Sequence, residues 1–364
     1  MRASYLDTAR GAGIILVVYG HVLRGLVSAG LVPAGLSDFL AATDYTIYTF
    51  HMPLFFLLSG LHVPKSLQRA SGGEFLSSKL RTIVYPYLVW SVLQGGVQIA
   101  LSSHGMNHPF TLHDLLAIGW RPFGQFWFLY ALFICMLVAW AVAAVVPGLG
   151  ARGGAVSGGV RALLVALAIG SLALAPFAQP DIAAKTLTYL PFFIFGMLIG
   201  DKLPALLART SNLPAIGVVA AAFCAAVVFA HRFGDSTSVW AVPAGLAGTA
   251  LVLMLVYRAS LRGGRAHSGQ SRPSWLERIG FASMPIYLAH ILATAGARIV
   301  LVKLGITNVG VHLALGTLAG VVAPMVLYAL ALRSGTARFI GFPPLPRTQA
   351  AATAQSRIRN ADAA

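Results

Sequence analysis

Residues 124–147 read GQFWFLYALFICMLVAWAVAAVVP, 24 positions without one Asp, Glu, Lys or Arg. About 20 apolar residues in a helix cross the hydrocarbon core of a bilayer, so this stretch reads as a membrane span. In lipid only a helix or a closed barrel satisfies its own backbone amides, and no alternating barrel pattern is present. Similar runs recur along the chain. We read ten spans, at residues 10–31, 43–62, 82–101, 124–147, 160–177, 186–200, 213–231, 239–257, 281–301 and 309–332. The expected fold is all-α, a polytopic membrane protein of about ten transmembrane helices. The membrane domain is expected over residues 1–341, with 342–364 a disordered cytoplasmic tail of Pro, Ala and Arg.

Composition agrees with that class. Apolar residues make up 57% of the chain and charged residues 10%, against about 25% charged in soluble domains. The net charge of +16 does not point to nucleic acid, because no basic helix or aromatic-interleaved groove accompanies it. With the N-terminus in the cytoplasm, 20 of the 26 Lys and Arg fall in cytoplasmic segments. That is the positive-inside bias, and ten spans then place both termini in the cytoplasm. Residues 1–30 make a poor signal peptide, since Asp7, His21 and Arg24 interrupt them and no cleavage site follows. Cys135 and Cys224 sit in apolar runs, so a disulfide framework is not expected. The Gly-rich loop at 148–159 and the Arg-rich stretch at 258–278 read as cytoplasmic connections. The first is not a phosphate loop, because no Gly-Lys-Ser/Thr follows it.

Ionisable groups inside a span are costly and mark function more often than packing. In the first span Arg10 and His21 are eleven positions apart, close to three helical turns. They therefore share one helix face, about 16 Å apart along the axis. Asp7 lies one turn before Arg10 and is placed to orient it. A guanidinium suits phosphate, and an imidazole can take a proton from a hydroxyl near neutral pH. The plain alternative is an Arg anchored at the headgroups and a polar packing His.

The chain also resembles a known family. Leu6-Asp7-Thr8-Ala9-Arg10-Gly11 followed by Tyr19-Gly20-His21 is similar to the opening of the acyltransferase-3 family of membrane acyltransferases, an Arg, ten residues, then a His. His51-Met52-Pro53-Leu54-Phe55-Phe56-Leu57-Leu58-Ser59-Gly60 is close to the family's second-span pattern. Phe75, Lys79, Arg81, Tyr85, Pro86, Tyr87 and Trp90 resemble its basic entry into the third span. Trp127-Phe128-Leu129 and Ser283-Met284-Pro285-Ile286-Tyr287-Leu288-Ala289-His290 resemble later segments. The likeness runs from residue 6 to about 332, and the small stand-alone fucose acetylase-like members are nearest. Gln125 departs from it, standing where many members carry His.

The resemblance implies an enzyme that moves an acyl group, acetyl expected, from acyl-CoA to a hydroxyl of a carbohydrate or glycan acceptor. The acyl-CoA is a co-substrate, no cofactor is bound, and the location implied is the bacterial inner membrane. On this reading His21 is the catalytic base and Arg10 contacts the CoA phosphates, with Lys79 and Arg81 adding to them. His51, Trp127, Tyr287 and His290 are candidates for the acceptor side or the pore wall. Asp7 and Ser59 are supporting; a nucleophilic Ser59 lacks a local base. Positive-inside charge, helix-helix hydrogen bonds and interface aromatics are the ordinary alternatives for these positions. His104, His108, His113 and Asp114 lie close in sequence, but not at a recognised metal spacing, and no metal is expected. The competing class is a transporter or flippase for a polar or lipid-linked solute, which also places ionisable residues at the midplane. The inverted repeats common in such proteins are not visible.

Overall fold

The computed structural model describes residues 4–101, 110–146, 157–179, 181–262 and 273–344. In chain order the helices are α1 (Ser4–Ser28), α2 (Ala34–Gly60), α3 (Val63–Arg69), α4 (Gly72–Lys79), α5 (Tyr85–Leu101), α6 (Leu112–Leu116), α7 (Trp127–Val145), α8 (Gly158–Leu174), α9 (Asp181–Ile199), α10 (Leu203–Thr210), α11 (Leu213–Phe233), α12 (Val242–Arg262), α13 (Trp275–Phe281), α14 (Ser283–Lys303) and α15 (Val309–Arg333). There is no strand among the described residues. Among the described residues nine helical segments are long and apolar enough to cross a membrane, and the chain is an all-α polytopic membrane protein.

The expected third span, 82–101, is the segment outside those nine. Its helix α5 has 17 residues, at the short end of what crosses a bilayer. A π-helical turn, Leu80–Val84, runs directly into it, and the Tyr85 N–H bonds the Leu80 carbonyl five residues back. Pro86 follows and has no N–H to give, so the ordinary ladder is broken there; π-turns accommodate such breaks.

Helix α1 lies at the centre, packed against α2, α12, α13, α14 and α15. Its contact with α13 is backbone to backbone: a Cβ at Gly11 would overlap the Leu276 carbonyl. The Ser4 hydroxyl adds a 2.6 Å hydrogen bond to Glu277. Helix α2 meets α9 in the same way, where a Cβ at Gly60 would overlap the Phe193 carbonyl. Small residues let helices approach closely where lipid offers no hydrophobic drive between them. By contrast α11 exposes Leu213, Val218, Val228 and Phe233, a surface matched to lipid tails.

After α15 the chain turns back. Trp90 Nε1 donates to the Ile340 carbonyl at 2.8 Å, Tyr85 to the Phe339 carbonyl at 2.7 Å, and Tyr328 to the Pro343 carbonyl at 2.9 Å. Phe342 is buried and stacks on Trp90. Packed chain therefore continues through residue 342, expected as the first of the tail; residues 345–364 lie outside the described residues, as do 147–156 of the Gly-rich loop and 263–272 of the Arg-rich one.

Candidate active site

One face of α1 carries the site. Ile14, Val17, Arg24, Gly25 and Ser28 share it with Arg10 and His21, as the 3.6-residue period requires. These residues line two successive cavities. The first, of about 190 Å³, holds Arg10, Ile14 and Val17 against Met52, Phe55, Phe128, Met284 and Tyr287. The second, of about 290 Å³, holds His21, Arg24, Gly25 and Ser28 against Thr294, Arg298 and His312. The sequence reading placed Arg10 and His21 along one cavity wall. The structure keeps them on one face but divides the space, because side chains from α14 press against α1 between them. Tyr287 lines the first cavity. His290, fully buried, packs 6.3 Å from Tyr287 and 5.0 Å from His21, ring centre to ring centre. These three rings form the bridge from one cavity to the other.

A third cavity, of about 440 Å³, adjoins the first and shares Thr82 and Met284 with it. Arg81, Tyr85, Arg338 and Phe339 line this mouth. No carboxylate pairs with Arg81 or Arg338 among the described residues; Arg81 bonds the Ser77 hydroxyl at 2.7 Å, and Arg338 lies 4.7 Å over the Phe339 ring.

At the head of α1 the Asp7 carboxylate, buried, accepts a 2.7 Å hydrogen bond from Arg10. Lys79 lines none of these cavities and sits 4.9 Å over the Phe75 ring, where burial pushes its ammonium below its ordinary pKa. It is two residues from Arg81, some 200° around a helix, so the two cannot face one space. His51 is buried too, its Nδ1 donating to the Ile47 carbonyl at 2.8 Å, and it lines none of the three cavities. Trp127 packs at 5.3 Å on Tyr189 and likewise lines none of them. Ser59 lines the first cavity, but its hydroxyl donates to the Phe55 carbonyl at 2.8 Å.

Gln125 pairs reciprocally with Gln94, the shorter hydrogen bond being 2.7 Å, and its backbone carbonyl accepts from the Tyr287 hydroxyl. A buried amide pair thus stands where a His was expected from the resemblance. Arg24 is held by Asp44 at 2.9 Å and lies 4.2 Å over Tyr48. Arg298 donates to the Gly25 carbonyl near the end of α1. Gln94, Arg298, His312 and Arg338 carried no sequence signal toward the site, since none belongs to a motif whose spacing points to it.

His104 and His108 lie outside the described residues. Asp114 caps α6 through Thr111, with the Thr111 hydroxyl at 2.6 Å; those bonds hold its carboxyl below the usual range. No group of three His, Cys, Asp or Glu able to hold a metal gathers among the described residues.

With this geometry in view, residues 3–329 match the family Acyl_transf_3, described as an acyltransferase domain. The chain belongs to this family of membrane acyltransferases. It is also similar to the nodulation protein NolL of Mesorhizobium japonicum and to NolL of Sinorhizobium fredii, 30% identical to each over 132 residues. That stretch is 36% of this chain and 34% of each relative, so the match spans about a third of their length. No solved structure matches the chain.

Proposed function

We propose that this acyltransferase is an O-acyltransferase, drawing an acyl group, acetyl in the first instance, from acyl-CoA and placing it on a carbohydrate hydroxyl. The observation that supports this is one face of α1 with Arg10 in the first cavity and His21 in the second, linked by the packed rings of Tyr287 and His290. Arg81 and Arg338 line the third cavity and Arg10 the one beside it, while His21 lines the second, further along α1; on this reading the two sides join past the Tyr287 and His290 rings when both substrates are bound. Arg81 and Arg338 at the mouth suit the nucleotide phosphates, and Arg10 the diphosphate, through planar donor forks. The apolar wall of Ile14, Val17 and Phe128 suits the thin thioester arm.

The acceptor enters the second cavity with its hydroxyl toward His21. His21 accepts the hydroxyl proton as the oxygen attacks the thioester carbonyl. The C–S bond then breaks, the acyl group remains on the acceptor oxygen, and His21 returns the proton to the departing thiolate. The mouth faces the cytoplasm on the positive-inside count, so the acceptor arrives from the opposite face of a bacterial inner membrane.

The test is thiol release from acetyl-CoA by the purified protein in nanodiscs, with a panel of glycans and mass analysis of the product. Acceptor-dependent release with an added 42 Da on the glycan is the expected result. H21A should fold and lose turnover, and R10A should raise KM for acetyl-CoA. Solute uptake into vesicles without thiol release would replace the enzyme reading by the transporter one.

A further inference from the structure

We infer that His290 is the positioning partner of His21, an acceptor that selects which nitrogen of the His21 ring carries its proton. The inference rests on His21 acting as the base, as proposed above. It begins with the His290 ring. Nδ1 lies 3.0 Å from the Ile286 carbonyl oxygen and 2.8 Å from that of Tyr287. A carbonyl only accepts, so Nδ1 must be the protonated nitrogen. Nε2 is then a bare lone pair. It is buried and has no hydrogen-bond partner in the structure, and a buried acceptor left unmet is costly.

The ring beside it is His21, its centre 5.0 Å away and its plane tilted by 57°. His21 makes no hydrogen bond among the described residues and lines the second cavity. Two imidazoles joined N–H to N stand at about this separation when hydrogen-bonded at ordinary length. The pairing requires that a rotation of the His21 ring about its Cβ–Cγ bond turn one N–H toward His290 Nε2. The other His21 nitrogen is then necessarily a lone pair, free to take the acceptor's proton. A buried carboxylate does this for the base of a serine protease; here a neutral imidazole of fixed tautomer serves. It adds no charge to a membrane interior, where a lone carboxylate would be expensive.

Two substitutions separate this role from simple packing. H290N keeps an N–H near the Nδ1 position for the helix carbonyls and removes every atom at Nε2. H290Q reaches the Nε2 position with an acceptor oxygen and gives up the Nδ1 anchor. Positioning requires that H290N lose kcat by about 100-fold with KM for acetyl-CoA unchanged, and that H290Q recover at least a tenth of the wild-type rate. The opposite ranking, H290N active and H290Q inactive, overturns the inference and leaves a helix-anchoring role.

Histidine-selective 15N spectra in nanodiscs give a readout that needs no turnover, with signals assigned by difference against H21N and H290N. Expected are an Nδ1–H tautomer at His290 and a single His21 tautomer that becomes a mixture in H290N but not in H290Q. A His21 spectrum indifferent to both substitutions refutes the pairing even if the protein proves not to transfer acyl groups. Absence of thiol release by the wild type would instead remove the proposed function while the spectra still decide the contact.

Discussion

The junction of α1, α14 and α15 behind His21 is closed by a glycine, which makes Gly320→Ala a sharp perturbation. A Cβ built at Gly320 would stand 2.5 Å from Val18 Cγ1 and 2.5 Å from Thr294 Cγ2. Carbon atoms pack at about 3.5–4.0 Å, so the new methyl intrudes by roughly 1 Å on two sides at once. Both neighbours are β-branched and stiff at χ1, Val18 is fully buried, and Thr294 Oγ1 is bonded to the Ile291 carbonyl at 3.1 Å. The helices must therefore separate, and overpacking of this kind costs about 1–3 kcal/mol. Val18 is three residues before His21, and Thr294 shares the second cavity with it. A displacement near 1 Å at reacting groups costs about 100-fold in rate. Gly296→Ala on α14 is the matched control, because nothing lies within 4 Å of its added Cβ; it should gain up to about 1 kcal/mol from helix propensity. Thermal unfolding in nanodiscs, paired with thiol release, reads both effects. Val18→Ala combined with Gly320→Ala makes room for the methyl, so the double variant should be more stable than the sum of the two single changes. Equal stability and activity of G320A and G296A, or strict additivity in the double variant, would refute this account of the junction.

Other expectations follow from individual contacts. Asp7→Ala leaves Arg10 without its 2.7 Å carboxylate partner and should raise KM for acetyl-CoA about tenfold, equivalent to about 1.4 kcal/mol of lost positioning, with kcat nearly unchanged in steady-state assays. Gln94→Leu strands the buried Gln125 amide and should cost about 1–3 kcal/mol in unfolding free energy, whereas Q94L with Gln125→Leu should restore much of it. Arg338→Met should raise KM for acetyl-CoA but not for dephosphorylated acyl-pantetheine, if the mouth holds phosphate. The Thr111–Asp114 cap carries a pH signature. Because the folded carboxyl is held below its usual range, the cap contributes above the ordinary carboxylate range and is lost as pH falls through the folded value. Protection factors over α6, taken relative to intrinsic exchange at each pH, should fall in acid, and Thr111→Val should remove that dependence.

Much of the fold is local in origin and could be read along the chain. A 20-residue apolar run must be helical in lipid whatever surrounds it. Arg10 and His21 share a face because the helical period places them there. The same reasoning fails where residues are grouped by type rather than by helix face, or where a neighbour takes over. Charge alone groups Lys79 with Arg81, although two residues along a helix put them on different faces, Arg81 at a cavity mouth and Lys79 over Phe75. His51 and Trp127 line none of the three cavities, since helix packing sets His51 against Tyr48 and Trp127 against Tyr189.

The sequence by itself determined the membrane class, nine of the ten expected spans and the placing of Arg10 and His21 on one helix face, since each depends on composition or on a periodicity within one segment. Tertiary structure alone decided that two cavities rather than one run along α1, that His290 from 269 positions away meets His21, and that Arg338 joins Arg81 at the mouth. Those contacts arise when helices distant in sequence are pressed together by packing and backbone hydrogen bonding, and no pattern within a single span encodes which neighbour will face which.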